Sequence, residues 1–276
     1  MRTPAENAQL ALLAEVAGTP KPGNVDRVRD LPDLRFEHFL AGAVGAGAGL
    51  RAAEDGAPVG DAFETAVAGM ADQEGRNTQF GALLLLVPLV RAASEGDVAD
   101  APAVTEGTTV GDAAAFYRAF EHVDVHAGDP PADADDVDVR RGADAVPAVR
   151  ERGLTLHDVM ALGAESDDVA AEWTGNFDRT FRAADLIADA EGSLGDRAAT
   201  AYLELLAEKP DTLVATRAGP ETASEVRERA AELLGADRAA VEAFADELVE
   251  RGVNPGTTAD LVAAGLFVAL QRGVSV

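Results

Sequence analysis

The sequence predicts an all-α fold, and three observations carry that prediction. No stretch of useful length alternates apolar and polar residues as a half-buried strand does. Apolar residues recur instead at helical spacing, between turns marked by proline and glycine. Aromatic residues make up only 5% of the chain and alanine is abundant, so helices can approach one another closely. At 276 residues the chain can bury a large core, and about ten helices in one domain are expected.

The elements follow in order. Residues 4 to 18 read as a first helix, with Leu10, Leu13 and Ala17 on one face and Leu12 and Val16 beside them. Pro20 ends it and opens the elbow Thr19-Pro20-Lys21-Pro22-Gly23-Asn24-Val25-Asp26-Arg27. Two prolines stiffen this elbow, and Gly23 permits a turn that other residues resist. Only Lys21 and Lys209 are lysines, so one of two sits in the elbow. A tight helix connection and a functional loop both account for that segment.

A second helix is expected from about Asp33 to Glu54, with Asp33 as its cap. Gly42, Gly45, Gly47 and Gly49 lower its propensity, which very close packing or a bound ligand would explain. A third helix covers 58 to 72 and carries Glu64 and Met70. The polar turn 72 to 79 then opens into an apolar helix from Phe80 to Ala93, capped by Asn77 or Thr78. A polar loop at the start of a buried helix suits an anion, although ordinary capping accounts for the same residues.

Another helix is expected from Thr109 to His122, with Phe116, Tyr117 and Phe120 near its inner face. Residues 123 to 147 interleave aspartates with prolines and alanines and read as a solvated connection between two helical halves. His122 and His126 have a spacing that can bind metal on a helix. The pair straddles a helix end, however, and no glutamate follows the first histidine as in the zincin motif. Thr155 to Asp158 is a capping-box variant starting a helix that reaches about Trp173. Further helices are expected near 176–191, 195–208, 220–234, 237–251 and 257–272. The last follows Asn254-Pro255-Gly256-Thr257-Thr258-Ala259-Asp260, where Thr257 or Thr258 caps and Asp260 complements the helix dipole.

Charge narrows the function. The formal net charge is −26, which disfavours nucleic acid and anionic membranes as partners. An acidic, lysine-poor surface suits a cytoplasmic protein of a salt-accumulating organism, where salt screens self-repulsion. There are no cysteines, so disulfides and thiolate metal sites are excluded. The N-terminus lacks the apolar core of a signal peptide, and the apolar runs are too short for a membrane helix.

Three polar turns adjoin apolar helices: Lys21 to Asp26, Glu74 to Gly81, and Asn254 to Asp260. If those helix ends converge, Lys21, Arg27 and Arg76 supply cations for a polyphosphate. Asp26, Glu64 and Asp260 then supply hard oxygens for Mg²⁺, which enters with substrate phosphates.

The elbow resembles the PKPG-x-VD signature of the triphosphoribosyl-dephospho-CoA synthase family. Gly60-x-x-x-Glu64 with Met70, then Asn77-Thr78-x-x-Gly81, then Pro255-Gly256-Thr257-Thr258-Ala259-Asp260-Leu261 follow in family order over nearly the whole chain. The resemblance implies an all-α enzyme. In that family the 2′-hydroxyl of 3′-dephospho-CoA attacks the ribose C1′ of ATP, and adenine leaves. On that basis Glu64 and Asp26 are expected as catalytic carboxylates, with Asp26, Glu64 and Asp260 around Mg²⁺. Lys21, Asn24, Arg27, Arg76, Asn77, Thr78, Gly81 and Thr257 are expected to contact substrate. Gln79-Phe80 stands where lyase-associated members carry His-Lys. Residues 165 to 173 and 210 to 215 resemble a divergent archaeal-type branch. A related nucleotide-dependent ribosyl transferase or hydrolase, and a non-catalytic helical scaffold, are the alternative readings. A homo-oligomer is compatible with all of them.

Overall fold

The computed structural model describes residues 2–276. All regular structure in it is helical: sixteen α-helices, three short 3₁₀ segments and, among the described residues, no strand beyond one isolated bridge between Leu31 and Leu34. Two helices lie at the centre. These are α5 (Phe80–Glu95) and α16 (Gly256–Gln271), and both are apolar almost all round. A helix without a polar face must be covered on every side, so the others wrap these two. Packed on α16 are α1 (Pro4–Ala17), α11 (Asp178–Asp189) and α12 (Leu194–Glu208), while α5 itself packs on α16. One hydrophobic core runs from Ala5 to Leu270.

The glycine-rich segment is two helices, α2 (Phe36–Gly45) and α3 (Gly47–Glu54). The sequence suggested one helix capped by Asp33; the N-cap is Arg35 instead. Close packing accounts for the glycines. A Cβ on Gly45 would lie 2.0 Å from the Gly69 carbonyl oxygen in α4 (Val59–Met70). One on Gly49 would lie 2.3 Å from the Ala66 amide nitrogen of the same helix.

Chain punctuation divides the protein more finely than the apolar pattern suggests. After α6 (Ala101–Glu106) and α7 (Val110–Ala119) comes α8 (Val146–Arg152), and neither α6 nor α8 has enough periodicity to stand out in the sequence. The helix expected from 155 to 173 is two: α9 (Leu156–Gly163) and α10 (Asp168–Thr174). Asp167 breaks it by accepting from the amides of Val169 (2.8 Å) and Ala170 (3.4 Å), an N-cap that starts a new helix. Beyond α12, a short α13 (Thr212–Ala218) precedes α14 (Pro220–Glu232) and α15 (Arg238–Glu250).

Residues 123 to 147 are not simply solvated. Ala134, Val137 and Ala145 are buried, and the Tyr117 hydroxyl donates to the Val137 carbonyl. The segment folds back over α7 and forms one wall of the main cavity.

Candidate active site

A cavity of about 590 Å³ opens between the ends of α5, α16, α10 and α13 and the 124–139 segment. Three polar turns meet there, as the sequence suggested. The opening elbow is tied to the last turn because the Asn24 side-chain amide donates to Asn254 Oδ1 at 2.8 Å. The Tyr202 hydroxyl donates to the Pro22 carbonyl at 2.9 Å and lies 3.3 Å from that of Pro255. Gly23 has φ +75°, and a Cβ there would lie 2.2 Å from the Val253 carbonyl oxygen. Glycine is therefore required for both conformation and contact. The middle turn joins through Gly81: a Cβ there would sit 2.2 Å from Asp260 Oδ2.

Among the residues expected at the site, Asn24, Arg76, Asn77, Thr78, Gly81, Thr257 and Asp260 line the cavity. Asn77 bridges its walls: its side-chain amide donates to the Asp124 carbonyl at 3.0 Å, and its Oδ1 accepts from the Phe80 amide at 3.3 Å. Arg76 is held at φ +50°, an uncommon conformation for a residue with a Cβ.

Four expected residues are not cavity ligands. Asp26 is fully buried, and its oxygens accept from the Thr19 hydroxyl, the amides of Lys21, Val28 and Arg29, and the Arg29 guanidinium. No lone-pair direction remains for a metal; Asp26 fastens the elbow. Arg27 is exposed on the outer surface, where its charge acts on Asp196. Glu64 lies on α4 and binds Arg118 through Nη2 (2.6 Å) and Nε (3.0 Å). Lys21 is fully buried beneath the cavity wall, with its ammonium engaged by Glu15 and by Asn24 Oδ1 at 3.1 Å.

Residues that sequence reasoning missed complete the site: Glu15, Asp167 and Arg217 line the cavity, and Asp211 braces it. Glu15 was detectable as an acid on the buried stripe Ala8, Ala11, Leu12, Glu15, an arrangement rarely tolerated without a partner. Asp211 accepts from the Thr258 amide and hydroxyl, both at 2.7 Å, and from the Val214 amide at 3.0 Å. It thereby fixes the start of α16.

Electrostatics separate these acids. Burial pushes the Asp260 carboxyl well above the usual carboxylate range, and the charges of Glu15, Asp211 and Asp167 add to this, while the Ala82 amide it accepts from and its partial exposure to the cavity oppose it. Burial raises Glu15 too, but Lys21 opposes that rise by charge and hydrogen bond. Asp167 is raised by its protein surroundings and lowered by the two amides it caps. Its side chain remains open to solvent through the cavity, which screens the effect.

Two features oppose this negative charge. The N-cap residues of α5 and α16 supply no side-chain cap; Asn77 takes the Phe80 amide and Asp211 the Thr258 amide, so each helix N-terminus brings only part of its positive dipole end to the cavity. Arg76 and Arg217 line the rim, and among the described residues neither pairs with a carboxylate. The opposite wall is apolar. Phe80 packs edge-on against Phe63 (5.1 Å between centroids) and Phe120 (5.2 Å), and Phe116 stands beside them.

A family model for CitG, described as ATP:dephospho-CoA triphosphoribosyl transferase, matches residues 1–275. The chain belongs to the CitG family. Family membership makes it a transferase of the triphosphoribosyl-dephospho-CoA synthase type. The chain is also similar to a crystal structure from Archaeoglobus fulgidus provisionally assigned as a triphosphoribosyl-dephospho-CoA synthase. Identity is 27% and the TM-score 0.73, over 87% of this chain and 99% of that one. Among curated proteins, none matches. The CitG description accords with the motif order, and the cavity lies where three of the four motifs meet; the Gly60–Glu64 motif lies outside it.

Proposed function

We propose that this CitG-family chain binds ATP in the 590 Å³ cavity and transfers its triphosphoribosyl group to 3′-dephospho-CoA, with release of adenine. The observation that carries the proposal is the convergence of two helix N-termini and two unpaired arginines on one acidic cavity. A protein of net charge −26 repels polyphosphates elsewhere. At this cavity, oriented amides and guanidinium groups can hold one.

In the transfer, the bond from ribose C1′ to adenine breaks and a bond from C1′ to the acceptor 2′-oxygen forms. The acceptor hydroxyl gives up a proton and adenine leaves as the neutral base. Positive charge builds on the ribose meanwhile, and nearby carboxylates stabilise it. Asp260 suits the proton-handling role because its carboxyl is held well above the ordinary range. The aromatic wall of Phe80, Phe116 and Phe120 offers apolar surface to a purine.

The donor chemistry fits Mg²⁺ brought in by ATP. Among the described residues, no group of three or more His, Asp or Glu could hold an ion alone. Mg²⁺ arriving on phosphates needs only one or two protein carboxylates, and Asp167 faces the cavity for that purpose, whereas Asp260, whose carboxyl burial holds well above the usual range, is the poorer ligand. Bound there, Mg²⁺ would neutralise and orient the triphosphate.

The test is adenine release from ATP and Mg²⁺ in high salt, measured with and without dephospho-CoA. Acceptor-dependent release is expected, and Arg76→Ala with Arg217→Ala should raise the KM for ATP at least about tenfold. No adenine with any acceptor would sink the transferase reading. Release without dephospho-CoA would point to hydrolysis or to another acceptor.

A further inference from the structure

Glu15 and Lys21 form an ion pair in which both side chains are buried, at 3% and 0% exposure. Burying two charges is costly and by itself is weak evidence for stability. This pair, however, sits against the cavity. Glu15 lines it, whereas Lys21 lies behind and also holds Asn24, another lining residue. Lys21 engages Glu15 Oε1; among the described residues no hydrogen bond engages Oε2. One oxygen is fastened and the other has no hydrogen-bond partner among the described residues, in a side chain that lines the cavity.

We propose that Glu15 is the catalytic carboxylate that stabilises the ribosyl cation, and that Lys21 is the positioning residue that keeps it charged and aimed. This rests on the transferase reading. The titratable groups facing Glu15 are Lys21 and Asp26 from the elbow, Asp260 from α16 and the Tyr202 hydroxyl from α12. Lys21 is the only cation among them. Two carboxylates then divide the work: Glu15, fastened to its ammonium, faces the ribosyl cation, and Asp260, with no cation, carries the proton. The lysine is too deep to touch phosphate, and its stiff elbow fixes the distance to α1.

The experiment compares Glu15→Gln, Lys21→Met and the double variant by adenine release across pH, with folding checked by circular dichroism. Glu15→Gln is expected to lower kcat by about a hundredfold or more while the KM for ATP changes little. Lys21→Met should show a similar loss at neutral pH but regain rate as pH rises and Glu15 ionises. Glu15→Gln should not recover, and the double variant should be no worse than Glu15→Gln. Infrared difference spectra, assigned with Glu15→Gln, give a readout independent of turnover. The Glu15 band should be ionised in the parent at neutral pH and protonated in Lys21→Met. Near-parent kcat in Glu15→Gln, an unshifted pH profile in Lys21→Met, or an unchanged infrared band would overturn the inference. If the parent releases no adenine, the transferase reading fails and the catalytic role fails with it; the infrared band still decides what Lys21 does.

Discussion

The two lysines of this chain both serve buried carboxylates, and they do so differently. Asp168, 3% exposed, is held by two cations: Lys209 binds Oδ1 and Arg179 binds Oδ2. Glu15, equally buried, has one cation on one oxygen. Asp260 continues the series, because no cation pairs with it among the described residues. Cations per carboxylate thus fall from two to one to none from the α10 wall to the cavity floor. A saturated acid can only hold structure together. An acid with a free oxygen or a raised proton affinity can also act on a ligand.

The largest expected effect tests the saturated end of that series. Asp168→Asn leaves Arg179 and Lys209 without their acid, although both can turn towards solvent. A loss of about 2 kcal/mol in stability is expected, measured by denaturant unfolding. Turnover per folded molecule should stay near the parent value. A collapse of kcat with unchanged stability would break the comparison, since Asp168 would then belong to the chemistry.

The sequence made the fold class and the three polar turns legible, because both depend on local signals; that the turns converge is a tertiary outcome. Continuous apolar runs give α5 and α16, and a polar turn at 72–79 and the Asn254-Pro255-Gly256 turn mark their starts. The short helices α6, α8 and α13 were not legible, since six or seven residues give too little periodicity. The site was legible in part. Asn24, Asn77 and Asp260 sit in turns, whose side chains face the space the turns enclose. Asp26 and Glu64 were misplaced because a motif gives position but not partner. Five donors for Asp26 and the Arg118 guanidinium for Glu64 come from folding. Lys21 was expected on a phosphate, but its ammonium turns inwards to an acid six residues earlier.

A second prediction disturbs the unpaired end of the series without removing a charge. Gly81→Ala places a methyl group 2.2 Å from the present position of Asp260 Oδ2, so the carboxylate must move. A stability change of about 1–2 kcal/mol is expected from overpacking. Adenine release should fall by more than that loss of folded protein accounts for. Unchanged turnover would mean that Asp260 need not sit against the first turn of α5, and its proton-handling role would weaken.

The smallest effect concerns the charge of Asp260 itself, and its sign discriminates best. The folded protein holds this carboxyl well above its ordinary value, chiefly through burial. Between the unfolded value, near 4, and the raised folded value, the folded state binds more protons than the unfolded one. Stability contributed by this group is therefore full below the unfolded value and is lost as pH rises through the folded one. Asp260→Asn removes the titration and should stabilise the free protein above that window, on the order of 1 kcal/mol per pH unit of displacement. Asp168→Asn does the opposite, because there the acid is the partner that two cations need. Thermal unfolding of both variants from pH 4 to 8 separates them: Asp260→Asn should flatten the decline while abolishing turnover. A destabilised Asp260→Asn at neutral pH would place Asp260 beside Asp168 as a structural acid and end the gradation towards the cavity.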